Sequence, residues 1–156
     1  MSGLTLEDEF GRWFFTDYFD AWVALARDEA PDPTVLLEYY AVPLAVALPD
    51  GFQVLDTADA VTAALVEHQR PLREHGYVGT DVPDKQLTVY NRNAATAQAI
   101  WSRHDADGNE IQRLAAVFHI NRTSVGLRIT SIALAPTTED TLAAARRATG
   151  AQDSAT

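Results

Sequence analysis

The chain has no cysteine and one methionine among its 156 residues. The first absence removes disulfides, thiolate nucleophiles and thiolate metal sites. Lysine is almost missing as well: Lys85 is the single one, and the remaining cations are arginines. Only 12 basic residues stand against 22 acidic ones, a net charge of −10 that opposes binding to phosphate backbones and anionic lipid. No nucleic-acid or membrane partner is expected. The longest apolar run, Ala41–Leu48, falls far short of the roughly 20 residues of a membrane span, and the start carries Glu7, Asp8 and Glu9 in place of a basic targeting segment. A soluble, cytoplasmic protein is the expectation. No Gly-rich phosphate loop, nucleophile motif or metal-ligand spacing occurs, so the reading includes neither cofactor nor metal. What is present, 47% hydrophobic and 22% charged residues, suits one globular domain, and the Ala, Arg and Asp bias suggests a GC-rich bacterial genome.

Residues 7–29 place Phe10, Trp13, Phe14, Phe15, Tyr18, Phe19, Trp22 and Leu25 at helical spacing on more than one stripe, which predicts a helix covered on several sides. A short second helix is expected over 33–39. From Tyr40 the side chains alternate, with Tyr40, Val42, Leu44, Val46 and Leu48 on one face of a strand that ends at Pro49-Asp50-Gly51 and returns over 52–55. Asp56 or Thr57 caps a third helix carrying Val61, Leu65, His68 and Leu72; Pro71 should kink or shorten it, and Gly76 should stop it. Strands follow at about 85–90, 94–104, 111–121 and 126–135, then a helix over 137–149 ending at Gly150 with a frayed tail. The order predicts an α+β fold, a curved antiparallel sheet forming a cone with three helices on its concave side. Residues 1–136 form the domain and 137–156 its C-terminal helix and tail.

A two-residue turn at Asp107-Gly108 would pair Trp101 with Leu114, Ala99 with Ala116 and Ala97 with Phe118, an almost wholly apolar inner face. A turn at Thr123-Ser124 would pair Phe118 with Ile129, Ala116 with Ser131 and Leu114 with Ala133. The opposite face mixes Gln98, Ile100, Arg113, Ala115, Val117, His119, Thr130, Ile132 and Leu134, which suits a homodimer through the sheet. Small residues on the inner face leave room for a close-packed helix or for a ligand.

The aromatic first helix, the strand Tyr39-Tyr40-Ala41-Val42-Pro43-Leu44, the segment Gly126-Leu127-Arg128-Ile129 and the long C-terminal meander together resemble the nuclear transport factor 2-like superfamily. The likeness, over roughly residues 7–135, is strongest to members of unknown function. That resemblance implies a cone that binds small apolar molecules and, in many members, a dimer through the sheet. The superfamily's ketosteroid isomerases use a carboxylate base just before a strand proline, a helix tyrosine and a protonated aspartate in the sheet. Tyr18 is placed to be the tyrosine, but Val42 stands where the base would be, and no Asp or Glu occurs from Ile111 to Pro136. Isomerisation by that mechanism is not expected.

The candidate catalytic residues are Tyr18, Tyr40 and His68. Tyr18 and Trp22, four apart, share a helix face; Tyr40 points inward from its strand; His68 is the one titratable group on the apolar stripe of the third helix. Trp22, Trp101, Arg103 and Phe118 are the candidate ligand contacts, Arg103 binding a carboxylate or enolate oxygen at the cone rim unless it pairs with Glu110 or Asp105. His119 falls on the outer face, and a reversed register would bring it into the cone. His75 suits the negative end of a helix dipole, and Asp17 and Asp20 are expected to face solvent, either being a carboxylate of raised pKa if buried. Two functions fit: a cofactor-independent cyclase, isomerase, dehydratase or hydrolase acting on an apolar molecule, and a non-catalytic ligand-binding or dimeric assembly protein.

Overall fold

The computed structural model describes residues 3–30 and 32–154. Thr5 opens the first helix with a capping box: its hydroxyl accepts from the Asp8 N–H while the Asp8 carboxylate accepts from the Thr5 N–H. The helical run then has three parts, α1 (Leu6–Arg12), a π-helical turn (Trp13–Tyr18) and α2 (Phe19–Ala26). The middle part was not legible as a departure from the α-helix, yet the spacing explains it. Phe10, Phe14, Tyr18 and Trp22 recur every four residues, and on a 3.6-residue helix each step drifts by about 40°. The wider π turn takes up that drift, so all four rings are buried on one side.

Pro33–Glu38 forms a 3₁₀ turn capped by Asp32 and leads into β1 (Tyr40–Leu48) and β2 (Gly51–Leu55). The third helix, α3 (Ala58–Glu74), is capped by the Thr57 hydroxyl. Pro71 does not shorten it: the helix runs on to Glu74, the proline is exposed, and the His75 ring bonds the Pro71 carbonyl before Gly76 turns the chain at φ +76°. The next strand, β3 (Tyr77–Asp81), has no sequence expectation behind it because Gly79 interrupts so short a run. Then come β4 (Lys85–Asn91), β5 (Ala94–Asp105), β6 (Glu110–Thr123) and β7 (Gly126–Pro136).

All seven strands form one curved sheet in the order β2-β1-β7-β6-β5-β3, with β4 paired along another stretch of β5. β1 lies parallel to β7, so the sheet is not wholly antiparallel. In the β5–β6 hairpin the pairs Trp101–Leu114, Ala99–Ala116 and Ala97–Phe118 stand as expected. The turn is longer than two residues, with Gly108 at φ +84°, and a bulge before Gln112 restores the register.

The β6–β7 hairpin corrects the sequence reading. Its turn is Ser124-Val125, and a bulge places Thr130 between the pairs His119–Ser131 and Ile120–Ile129. Beyond it Phe118 faces Ile132, Ala116 faces Leu134 and Leu114 faces Pro136. Ser131 therefore turns outward and Ile132 and Leu134 turn inward, the reverse of the expected faces. β1 shows a similar slip between Tyr40 and Ala45, which leaves Val42 exposed instead of inward.

The helical run and α3 cover the inner face, as expected of the three N-terminal helices. The last helix, α4 (Leu142–Ser154), starts later than residue 137 and continues past Gly150. Its Leu142 N–H is held by the Asp84 carboxylate, and Leu142 and Ala145 pack on Ile100 and Ala115 of the outer face. Part of the face expected to meet a partner is thus covered by the chain itself. The tail at 155–156 lies outside the described residues.

Candidate functional site

An open cavity of about 580 Å³ lies between β1, β2, α3 and the inward side chains of β6 and β7. Its walls are Leu44, Val46 and Leu48 from β1, Leu55 from β2, Val61 and Leu65 from α3, Phe118 from β6, and Ile132 and Leu134 from β7. Ala60, Ala63 and Ala64 form the helix side, where small side chains leave the volume unfilled. Apolar side chains make up most of these walls.

Polar groups gather on one part of this wall. Arg103, 5% exposed, reaches it from β5. Its Nη1 donates to His68 Nε2 at 2.9 Å and to Gln112 Oε1 at 2.7 Å, and its guanidinium lies 4.1 Å from the centre of the Trp22 ring. Because arginine only donates, His68 Nε2 is the acceptor and the proton of the neutral ring sits on Nδ1. Burial and the adjacent guanidinium both oppose a second proton and pull the His68 pKa down to about 4. Desolvation lowers Arg103 too, to about 10, which leaves it charged at neutral pH. Tyr40 Oη is 2.6 Å from Tyr18 Oη in a buried pair. Burial pushes Tyr40 up to about 12 and Tyr18 well above the usual phenol value, so both remain protonated.

Five of the seven candidate residues meet at the cavity: Tyr40, His68, Trp22, Arg103 and Phe118. The other two stand behind it. Tyr18 stacks on Phe14, packs edge-on against Phe118 and hydrogen-bonds Tyr40 from behind the wall, and Trp101 is a core ring among Phe14, Phe19 and Phe118. Arg103 is neither at a rim nor paired with an acid. Glu110 bonds Ser102 and Arg113, and the Asp105 carboxylate accepts from the Asp107 and Asn109 N–H groups of its own turn. His119 is exposed on the outer face, its Nδ1 2.7 Å from Ser131 Oγ, so it does not enter the cone. Val42, in the place of the isomerase base, does not line the cavity.

Sequence reasoning missed Gln112, Ile132 and Leu134 as site residues. Gln112 carried no signal apart from its parity with Leu114, and the two β7 residues were hidden by the bulge. Among the described residues no group of three or more His, Asp or Glu side chains is arranged to hold a metal, and no helix is long and apolar enough to cross a membrane.

The family model described as NTF2-like protein (DUF6841) matches residues 8–137. The chain belongs to that family. The NTF2-like chain is similar in fold to an NTF2-like protein with a cystatin-like fold from Novosphingobium aromaticivorans, at TM-score 0.65 and 21% identity over 89% of this chain and 88% of that one. The yeast UBP3-associated protein BRE5 aligns at TM-score 0.64 and 13% identity, covering 88% of this chain and 100% of its own. A candidate ketosteroid isomerase from Parabacteroides distasonis aligns at TM-score 0.60 and 12% identity, covering 88% and 96%. No curated protein matches the sequence. At these identities the structural relatives share the fold alone, and their different descriptions carry no single activity across.

Proposed function

We propose that this protein binds a small, largely apolar molecule in the open part of its cone. The observation that carries this reading is the 580 Å³ cavity, walled by aliphatic side chains and supplied with polar groups from Arg103, His68 and Tyr40. Water gains little from such walls, and an apolar body placed there is stabilised by about 25 cal/mol for each Å² it removes from water. The test is calorimetric titration with octanol. Saturable one-to-one binding that Ala64→Phe abolishes supports the reading; absence of saturable binding to the wild type contradicts it.

A second reading, a cofactor-independent cyclase, isomerase, dehydratase or hydrolase, is favoured by one observation: a phenol and a neutral imidazole border the same apolar space. Tyr40, backed by Tyr18, would act as the acid that polarises a carbonyl or leaving group, and His68 would orient the substrate or shuttle a proton. A base with a pKa near 4 and its Nε2 already engaged is weak at neutral pH, so binding is the better-supported function. Under the catalytic reading, Tyr40→Phe or His68→Ala removes turnover while octanol still binds.

The partner reading is a homodimer through the outer sheet face that α4 leaves uncovered, around Val117, His119 and Ser131, in a cytoplasmic protein. Sedimentation at micromolar concentration tests it: a dimer is expected, and a monomer contradicts it.

A further inference from the structure

Arg103 is a charge without a counter-charge. Arginine is among the residues least often fully buried unless paired, and an unpaired ion away from water costs several kcal/mol. Yet Arg103 is 5% exposed, and its two hydrogen bonds, both from Nη1, go to a neutral imidazole and a neutral amide. Nε is buried with no partner, and none is found for Nη2 among the described residues. The other groups around it are Trp22 and the phenols of Tyr18, Tyr40 and Tyr77, all neutral. None of the described carboxylates forms an ion pair with it.

The position is costly, and the protein spends two further polar side chains, His68 and Gln112, on holding the guanidinium in place. Such an arrangement fits a cation kept for a charge that arrives from outside. The surroundings define that charge. Arg103 borders the apolar cavity, so the incoming anion is the head of a molecule whose body contacts Leu44, Leu65, Phe118 and Ile132. A guanidinium recognises a planar carboxylate through its fork, and Tyr40, whose hydroxyl hydrogen-bonds Tyr18 at the same wall, is a further donor. Among the described residues only one acidic side chain, exposed Glu67, lines the cavity, and it repels a second negative group on the ligand.

We propose that the cavity selects amphipathic monocarboxylates, the carboxylate seated on Arg103 and the apolar body filling the cone. This rests on the binding reading above and gives it a ligand class. In the free protein the guanidinium is buried among neutral groups; in the complex its charge is matched and its donors gain acceptors.

The test compares octanoate with octanol on the wild-type protein by calorimetric titration at neutral pH, and repeats both on Arg103→Gln. The two probes differ in the head group and share the chain. Octanoate is expected to bind the wild type about tenfold or more tightly than octanol, as a desolvated charge-assisted pair would give. Arg103→Gln is expected to abolish the preference while octanol binding persists. Equal binding of the two probes to the wild type overturns the proposal and leaves the apolar pocket standing. Failure of both probes overturns the pocket reading itself. The wild-type comparison needs no variant, so a poorly folding Arg103→Gln protein does not spoil the result; if that variant folds and still prefers octanoate, Arg103 is not the receptor.

Discussion

The inside of the cone has two halves built on the same sheet. In one, Ala97, Ala99 and Ala116 are at most 1% exposed, in the same core cluster as Phe10 and Phe14 of the first helical run. In the other, Leu44, Val46, Leu65, Ile132 and Leu134 face an open volume. Small side chains occur in both halves. On the sheet they admit large rings from a helix and the space closes; on α3, where Ala60, Ala63 and Ala64 look across at β1 and β7, no large side chain of the described residues enters the space. Cavity or core is decided by what the opposite element brings, and residue size on one surface does not reveal it.

Four substitutions separate the filled half from the open one. Phe14→Ala empties the filled half and should cost about 3–5 kcal/mol in denaturant unfolding; a loss under about 1 kcal/mol would mean that this half is not tightly packed. The second effect comes from His68, which is hydrogen-bonded to Arg103 and meets the Trp22 ring edge-on. Its folded pKa lies below the unfolded value, so the unfolded chain takes up the proton first. Stability present near pH 7 is lost as pH falls through about 6.5 toward 4, by on the order of 2 kcal/mol once partial exposure is allowed for. His68→Gln, which can still accept from Arg103, should unfold with less acid dependence over that window; identical pH profiles for the two proteins would contradict the assignment.

Third, Tyr40→Phe leaves the Tyr18 hydroxyl buried without its partner and should cost about 1–3 kcal/mol, whereas the Tyr18→Phe, Tyr40→Phe double variant should recover part of that loss. Additive losses in the double variant would show that the two hydroxyls are not coupled. The smallest stability effect is expected from Ala64→Phe, which places a ring in open space. It should change unfolding by less than about 1 kcal/mol yet remove octanol binding. A large destabilisation there would mean that the open half has no room.

Much of the fold was legible because its signals are local. Alternation in 94–104 and 111–121 and the Thr57 cap act over a few residues, and the structure keeps them; the hairpin around Asp107-Gly108 stands too, with a longer turn than the two residues expected. What escaped was set by insertions of one residue. The extra Thr130 exchanges Ser131 for Ile132 on the inner face, and nothing in the sequence marks a bulge that tertiary packing selects. The π turn at Trp13–Tyr18 is of the same kind.

The site was half legible. Tyr40 and His68 follow from their strand and helix faces, and Arg103 stands among the candidate ligand contacts, but the sequence places it at the cone rim, with Glu110 or Asp105 as the alternative partner, and carries no sign that it is buried. Its burial depends on β3 and α3 closing over β5, contacts distant in sequence that no local pattern carries.

Under the proposed function the open half, and not the outer sheet or the exposed β1–β2 hairpin, receives the ligand. Amide NMR during an octanoate titration tests it directly. Saturable shifts are predicted at Leu44, Leu65, His68, Arg103, Phe118 and Ile132; shifts confined to the exposed Phe52, Val54 and Val125, or no saturable shift, would contradict it.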